Sequence, residues 1–233
     1  MSSSSTRLLS IRRKVLTAVA TLTCVAGVSA AVSGTASAAT PQCGEGCISV
    51  FSSVLGTPTQ PNFVEAVLDG GTARVGQPVG LKPASRFDPS LDIKPIAGTV
   101  SEFYEMGLVS AAANSQYGPL DAVQQAYAPY GNETGLCVGL ARVAQNEPLT
   151  LQPCTSPTTV WIPYQALATE EGYFPIINAA TTDFRRPFAM YLPRNKVVCG
   201  NEIPMLARRL QFLKDDKTLP ASQLWGAVFG VLP

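Results

Sequence analysis

Cys137-Val138-Gly139-Leu140, a polar turn at Asn146-Glu147-Pro148, then Leu149-Thr150-Leu151-Gln152-Pro153-Cys154 and Val160-Trp161-Ile162 form the stretch from which the fold is read. Short apolar runs on either side of a polar turn predict two antiparallel strands. Each strand carries a cysteine, and a large aromatic follows within a few residues. The unit reads as a disulfide-stapled β-element with Trp161 turned into a core. Adjacent strands bring Cys137 and Cys154 within reach of each other, and an oxidising compartment makes a bridge between them the expected state.

The rest of the chain carries the same punctuation. Nineteen Gly and 19 Pro fall largely between short apolar runs, which is the pattern of an all-β protein. Runs with strand character cover Ile48 to Leu55, Phe63 to Leu68, Ala73 to Leu81, Phe188 to Leu192, Leu210 to Leu213 and Leu224 to Val231. Val100 to Ala113 alone has a helical look, through Phe103, Met106 and Leu108. Gly107 weakens a helix there, and two short strands meeting at Met106-Gly107 fit equally well.

A threefold echo runs through these elements. Val79-Gly80-Leu81-Lys82-Pro83 leads to Leu91-Asp92-Ile93, Leu149 to Pro153 leads to Val160-Trp161-Ile162, and Leu210 to Leu213 leads to Gln223-Leu224-Trp225. Ile93, Trp161 and Trp225 recur at near-equal spacing. Three repeats of roughly 43–100, 101–170 and 171–233 account for residues 39–233 as one domain with long loop insertions. The middle repeat, with its two cysteines, Leu-Thr-Leu and Trp, resembles one lobe of a ricin-type β-trefoil lectin. Gln223-Leu224-Trp225 matches that family's Gln-x-Trp motif; Thr159 and Ile93 depart from it in the other two repeats. The resemblance implies a β-trefoil, in which three lobes share one core and Trp161 and Trp225 pack within it. The chain as a whole also resembles secreted proteins of high-GC bacteria, a likeness that implies no function.

The N-terminus predicts a signal peptide over residues 1–38. Arg7, Arg12, Arg13 and Lys14 precede an apolar run from Val15 to Val32, and Ala36-Ser37-Ala38 has the form of a cleavage site. The general secretory and twin-arginine routes both remain open. Removal takes four of the 17 Lys and Arg, leaving 13 against 16 Asp and Glu, a net charge of −3. This balance lacks the basic footprint of a nucleic-acid binder. The expected product is secreted, monomeric and free of the membrane after cleavage, with a carbohydrate or an extracellular protein as partner.

Histidine is absent. This removes Ser-His-Asp and Cys-His catalysis and any His-ligated zinc. The acidic pairs Glu170-Glu171 and Asp215-Asp216 read as loop charges, because adjacent residues of a strand face opposite ways. No cofactor, metal site or catalytic residue is assigned, and the chain is read as a non-enzyme. Among the remaining cysteines, Cys43 and Cys47 flank Gly44-Glu45-Gly46 and can close on each other. Cys199 is then unpaired, or displaces one of that pair.

In ricin-type sites an Asp shortly after the first cysteine of a lobe takes hydrogen bonds from sugar hydroxyls beside an aromatic platform. Gly139 occupies that place here, so the ligand-binding residues are unknown. Tyr127-Ala128-Pro129-Tyr130-Gly131-Asn132 reads as a packed turn, with a stacking platform as its alternative. Arg185-Arg186 and Arg208-Arg209 read as solvated surface. The leading expectation is a secreted binding module of ricin-lectin type for carbohydrate. A trefoil scaffold that binds proteins and no sugar is the second, and a carboxylate-dependent hydrolase the third.

Overall fold

Residues 46–85, 87–193, 202–213 and 218–229 are described by a computed structural model. In chain order the first strands are β1 (Ile48–Ser52), β2 (Gly56–Thr57), β3 (Gln60–Pro61), β4 (Phe63–Val67), β5 (Val79–Pro83) and β6 (Ile93–Thr99). Two short helices follow, α1 (Val100–Glu105) and α2 (Ala111–Tyr117). The middle strands are β7 (Asp121–Tyr127), β8 (Leu136–Leu140), β9 (Glu147–Pro153) and β10 (Trp161–Pro163). The last are β11 (Ile176–Asn178), β12 (Phe188–Tyr191), β13 (Ile203–Pro204), β14 (Leu206–Arg209) and β15 (Trp225–Phe229). Among the described residues the fold is all-β apart from the two helices and short 3-10 turns.

The helices settle the ambiguity of the 100–113 segment. Thr99 and Glu102 cap α1 reciprocally: the Thr99 side chain accepts from the Glu102 N–H, and the Glu102 side chain accepts from the Thr99 N–H. Gly107, at φ +76, turns the chain just past its end. Ser110 caps α2 by accepting from Ala113 N–H. α2 lies largely beyond the expected elements, because Ala-Ala-Ala-Asn-Ser-Gln-Tyr has little apolar periodicity. Its core contact rests on Ala113 and Tyr117, both buried.

The strand pairings follow one scheme three times. β6 lies antiparallel to β7, β10 to β11, and β15 to β1. In each case the first residue of the earlier-named strand faces the last of its partner: Ile93 opposite Tyr127, Trp161 opposite Asn178, Trp225 opposite Ser52. A 3-10 turn precedes each of these first residues, at Pro89–Leu91, Pro157–Thr159 and Ala221–Gln223. The pairs β4–β5, β8–β9 and β12–β14 complete the scheme. β10 also meets β7, with Trp161 opposite Val123, so that β7, β8, β9, β14, β12, β11 and β10 close a ring of seven strands. Closure leaves fewer free edges to pair with other chains.

The register corrects one part of the sequence reading. Val138 faces Leu151 in β8–β9, and Met190 faces Ala207 in β12–β14. The counterpart of Leu149-Thr150-Leu151 is therefore Met205-Leu206-Ala207, and not the run at Leu210 to Leu213. That run is not a strand. Gln211 N–H donates to the Gln223 side chain and Leu213 N–H to the Thr218 carbonyl. Phe212 and Leu213 are exposed. Apolar composition alone misplaced the strand by four residues.

The main core contains both tryptophans with Ile93, Val138, Leu140, Leu149, Leu151, Met190 and Met205. Trp161 and Trp225 are fully buried. Their indole N–H groups donate to equivalent carbonyls, Trp161 to Val138 at 2.8 Å and Trp225 to Met190 at 3.0 Å. Burial of each ring contributes on the order of 3 kcal/mol, and neither indole donor is left unmet. A second cluster packs α1 and α2 against β10 and β11. A third joins Phe51, Val64, Ala66, Leu68 and Leu91.

Candidate functional site

Cys137 and Cys154 are joined, with S–S 2.00 Å and Cα atoms 4.9 Å apart. They staple β8 to the turn after β9. Cys47 is also disulfide-bonded; Cys43 and Cys199 lie outside the described residues, as does Asp215-Asp216. Where Thr159 replaces the expected Gln, a glutamine from another strand meets it. Gln124 of β7 donates from Nε2 to the Cys154 carbonyl and to Thr159 Oγ1, both at 2.6 Å. In the last repeat Gln223 itself donates to the Arg209 carbonyl at 3.1 Å and accepts from Gln211 N–H at 2.9 Å.

Gly139 is closed to a larger residue. A Cβ there would lie 2.7 Å from Thr159 Cγ2 and 3.1 Å from the Thr158 carbonyl oxygen. An acid at this position would need the 3-10 turn at Pro157–Thr159 to move. Tyr191, the equivalent on β12, stacks under the Arg208 guanidinium at 4.7 Å. Arg209 lies over Phe188 at 4.7 Å and pairs with Asp183 at 2.6 Å. This arginine pair is therefore half-buried and stacked, a correction to its reading as solvated surface. Arg185, Arg186, Glu170 and Glu171 are exposed.

The tyrosine loop divides between core and surface. Tyr127 ends β7 inside the main core. Burial, followed by the nearby Asp92 and Asp88 carboxylates and Tyr130, pushes its hydroxyl pKa up. Tyr130, three residues on, is 45% exposed. Its backbone is left-handed, at φ 55 and ψ 28. A residue with a Cβ pays roughly 1–2 kcal/mol for that conformation. The buried Asp92 holds it there, with Oδ2 accepting from Tyr130 N–H at 2.7 Å. Lys94 Nζ ties down the next carbonyl, that of Gly131, at 3.3 Å. The ring is thus presented by a fixed backbone rather than by a loose loop.

Tyr130 borders a cleft of about 610 Å³ between the 127–134 loop, the β4–β5 connection and the turn at Pro89–Leu91. Polar groups along it include Lys82, Asp88, Ser90, Asn132 and Thr134. Lys82 Nζ sits 2.9 Å from Asp88 Oδ2 and 3.1 Å from Ser90 Oγ. Burial works against the Asp88 charge, but hydrogen bonds from Lys82 and Ser90 outweigh it and hold the carboxyl below its usual range. The opposite wall is built by Gln77, which donates to the Leu68 and Gly70 carbonyls, both at 3.0 Å. Asp69, Gly70 and Gly71 there all take positive φ. An exposed aromatic beside a charged pair, a hydroxyl and an amide can engage a ligand that is apolar on one face and hydroxylated on its edge. The sequence displays the tyrosines but not this wall, because Lys82 and Asp88 come from the first repeat.

No known family matches the chain, and no curated protein does. A solved structure of a mosquitocidal holotoxin is similar over 80% of this chain and 17% of the toxin chain, at 12% identity and TM-score 0.46. The likeness covers a small part of the toxin's own length, and at this level it assigns neither fold family nor function.

Proposed function

We propose that this chain is an extracellular binding module on a ricin-type β-trefoil scaffold, and that it takes carbohydrate in the cleft beside Tyr130. The scaffold reading is supported by the thrice-repeated pairing scheme and by the matched indole bonds of Trp161 and Trp225. The observation that carries the ligand reading is Tyr130: an exposed ring on a strained backbone, fixed by a buried carboxylate. Strain kept in place by its surroundings points to use. The ring offers a stacking face for sugar C–H groups. Asp88, Asn132 and Ser90 offer acceptors and donors to the hydroxyls.

Gly139 favours a second reading. The familiar acid of a sugar site has no room there, and a scaffold that binds proteins through its loops needs no such acid. A glycan array separates the two. Binding that is lost in Tyr130→Ala and kept in Glu170→Ala supports the cleft. Absence of binding to any glycan at high protein concentration rejects the lectin reading.

A further inference from the structure

We infer that the open end of the strand barrel is a second binding site, for an uncharged aliphatic molecule that carries a hydroxyl group. Six strands form the wall at one end of the main core. β15 pairs with β1, β10 with β11 and β7 with β6. β7 meets β10, Phe174 just before β11 bridges to Trp225, and β1 approaches β6. Where β1, β7 and β11 begin and β6, β10 and β15 end, this wall encloses a cavity of about 390 Å³. Each strand contributes to its lining: Val50, Ala97, Val123, Pro163, Ile176 and Ala227. The volume falls within the range of small-molecule sites, and most of the lining is apolar.

One polar group inside argues for a ligand. Gln125 lines the cavity and is 1% exposed. Alternation along β7 sets it on the same inward face as Val123 and Tyr127, which belong to the main core. Its Oε1 is buried and has no hydrogen-bond partner among the described residues. Buried acceptors are normally satisfied. A ligand hydroxyl donates to Oε1 while the attached chain fills the aliphatic space. Asp121, at the exposed start of β7, is the charged residue of the lining. Its carboxylate disfavours a fatty-acid anion, and burial beside Gln125 penalises an ammonium group, which leaves a neutral alcohol as the fitting class. Phe229, 73% exposed at the end of β15, extends the apolar rim.

Calorimetric titration of the purified protein with 1-octanol tests this. Binding is expected to saturate with a Kd on the order of 100 μM. 1-Methoxyoctane keeps the chain and lacks the donor, and is expected to bind about tenfold more weakly. Gln125→Leu is expected to erase that difference between the two probes. Ala227→Trp, which fills the cavity from its half-buried rim, is expected to abolish binding of both. Tyr130→Ala is expected to change neither, which separates this site from the cleft. Failure of octanol to saturate, or equal affinity for the alcohol and its ether, overturns the inference. So does retained octanol affinity in an Ala227→Trp protein of unchanged melting temperature. Should that variant not fold, the comparison of the two probes in native and Gln125→Leu protein decides alone.

Discussion

The hairpins β4–β5 and β8–β9 occupy equivalent places, yet they meet the core with different chemistry. Each faces a strand residue with a leucine: Val138 opposite Leu151, and Glu65 opposite Leu81. In the middle repeat the Val138 carbonyl takes the Trp161 indole, and a disulfide closes the hairpin. In the first repeat Ile93 stands in the place of the Trp and has no donor to offer. The matching side chain there is a carboxylate that is fully buried, with both oxygens unpartnered among the described residues. The first repeat also supplies Lys82, Asp88 and Gln77 to the cleft. Sister units on one scaffold thus differ: the middle one closes its core with an indole bond and a disulfide, and the first one buries an unpartnered carboxylate and lines the cleft.

The comparison breaks most readily at Trp161. Trp161→Ala removes the ring from a closed core and leaves the Val138 carbonyl without its donor. A loss of about 3–5 kcal/mol is expected in urea unfolding. A loss below about 1 kcal/mol would show that the middle repeat does not anchor the fold. Replacing both Cys137 and Cys154 by Ala opens a loop with a sequence separation of 17. A further loss of about 3 kcal/mol is expected from the unfolded-state entropy regained.

Glu65 supplies the opposite sign. Burial pushes its pKa up to about 8 from 4.5. The folded state therefore holds the proton over a range in which the unfolded state has released it. Stability is full below about pH 4.5 and declines as pH rises toward 8. By pH 7 the decline from this group is on the order of 3 kcal/mol. Glu65→Leu is expected to remove that slope and to gain a similar amount at pH 7, measured by urea unfolding at pH 5 and pH 7. A slope unchanged by the substitution would assign the pH dependence to other groups. The smallest effect concerns Tyr130. Tyr130→Gly relieves the left-handed strain and is expected to change stability by no more than about 1 kcal/mol while removing glycan binding. A large loss of stability instead would make the ring a packing element and return the loop to a structural role.

Strand content was readable from the chain because alternating apolar residues and Gly/Pro punctuation are local signals. The staple between Cys137 and Cys154 was readable for the same reason, since its two strands are neighbours in sequence. Leu210 to Leu213 misled because a local apolar run says nothing about its partner, and the partner of β12 begins at Leu206. Thr159 looked like a defect until Gln124 reached across from β7 to its hydroxyl and to the Cys154 carbonyl beside it. For the cleft, the chain displayed the tyrosines but not their setting. Asp92 meets the Tyr130 backbone from 38 residues away, and no pattern of residues marks such a meeting.

What the chain alone establishes is an all-β architecture punctuated by turns, a compact staple, and an inventory without histidine, because these depend on composition and on neighbours a few residues apart. The surfaces arise only when distant strands converge. The cleft, the strained Tyr130, the barrel-end cavity and the buried Glu65 depend on which strand lies beside which and on which face each side chain is turned. Those choices are made by the packing of the whole core, and no single segment carries them.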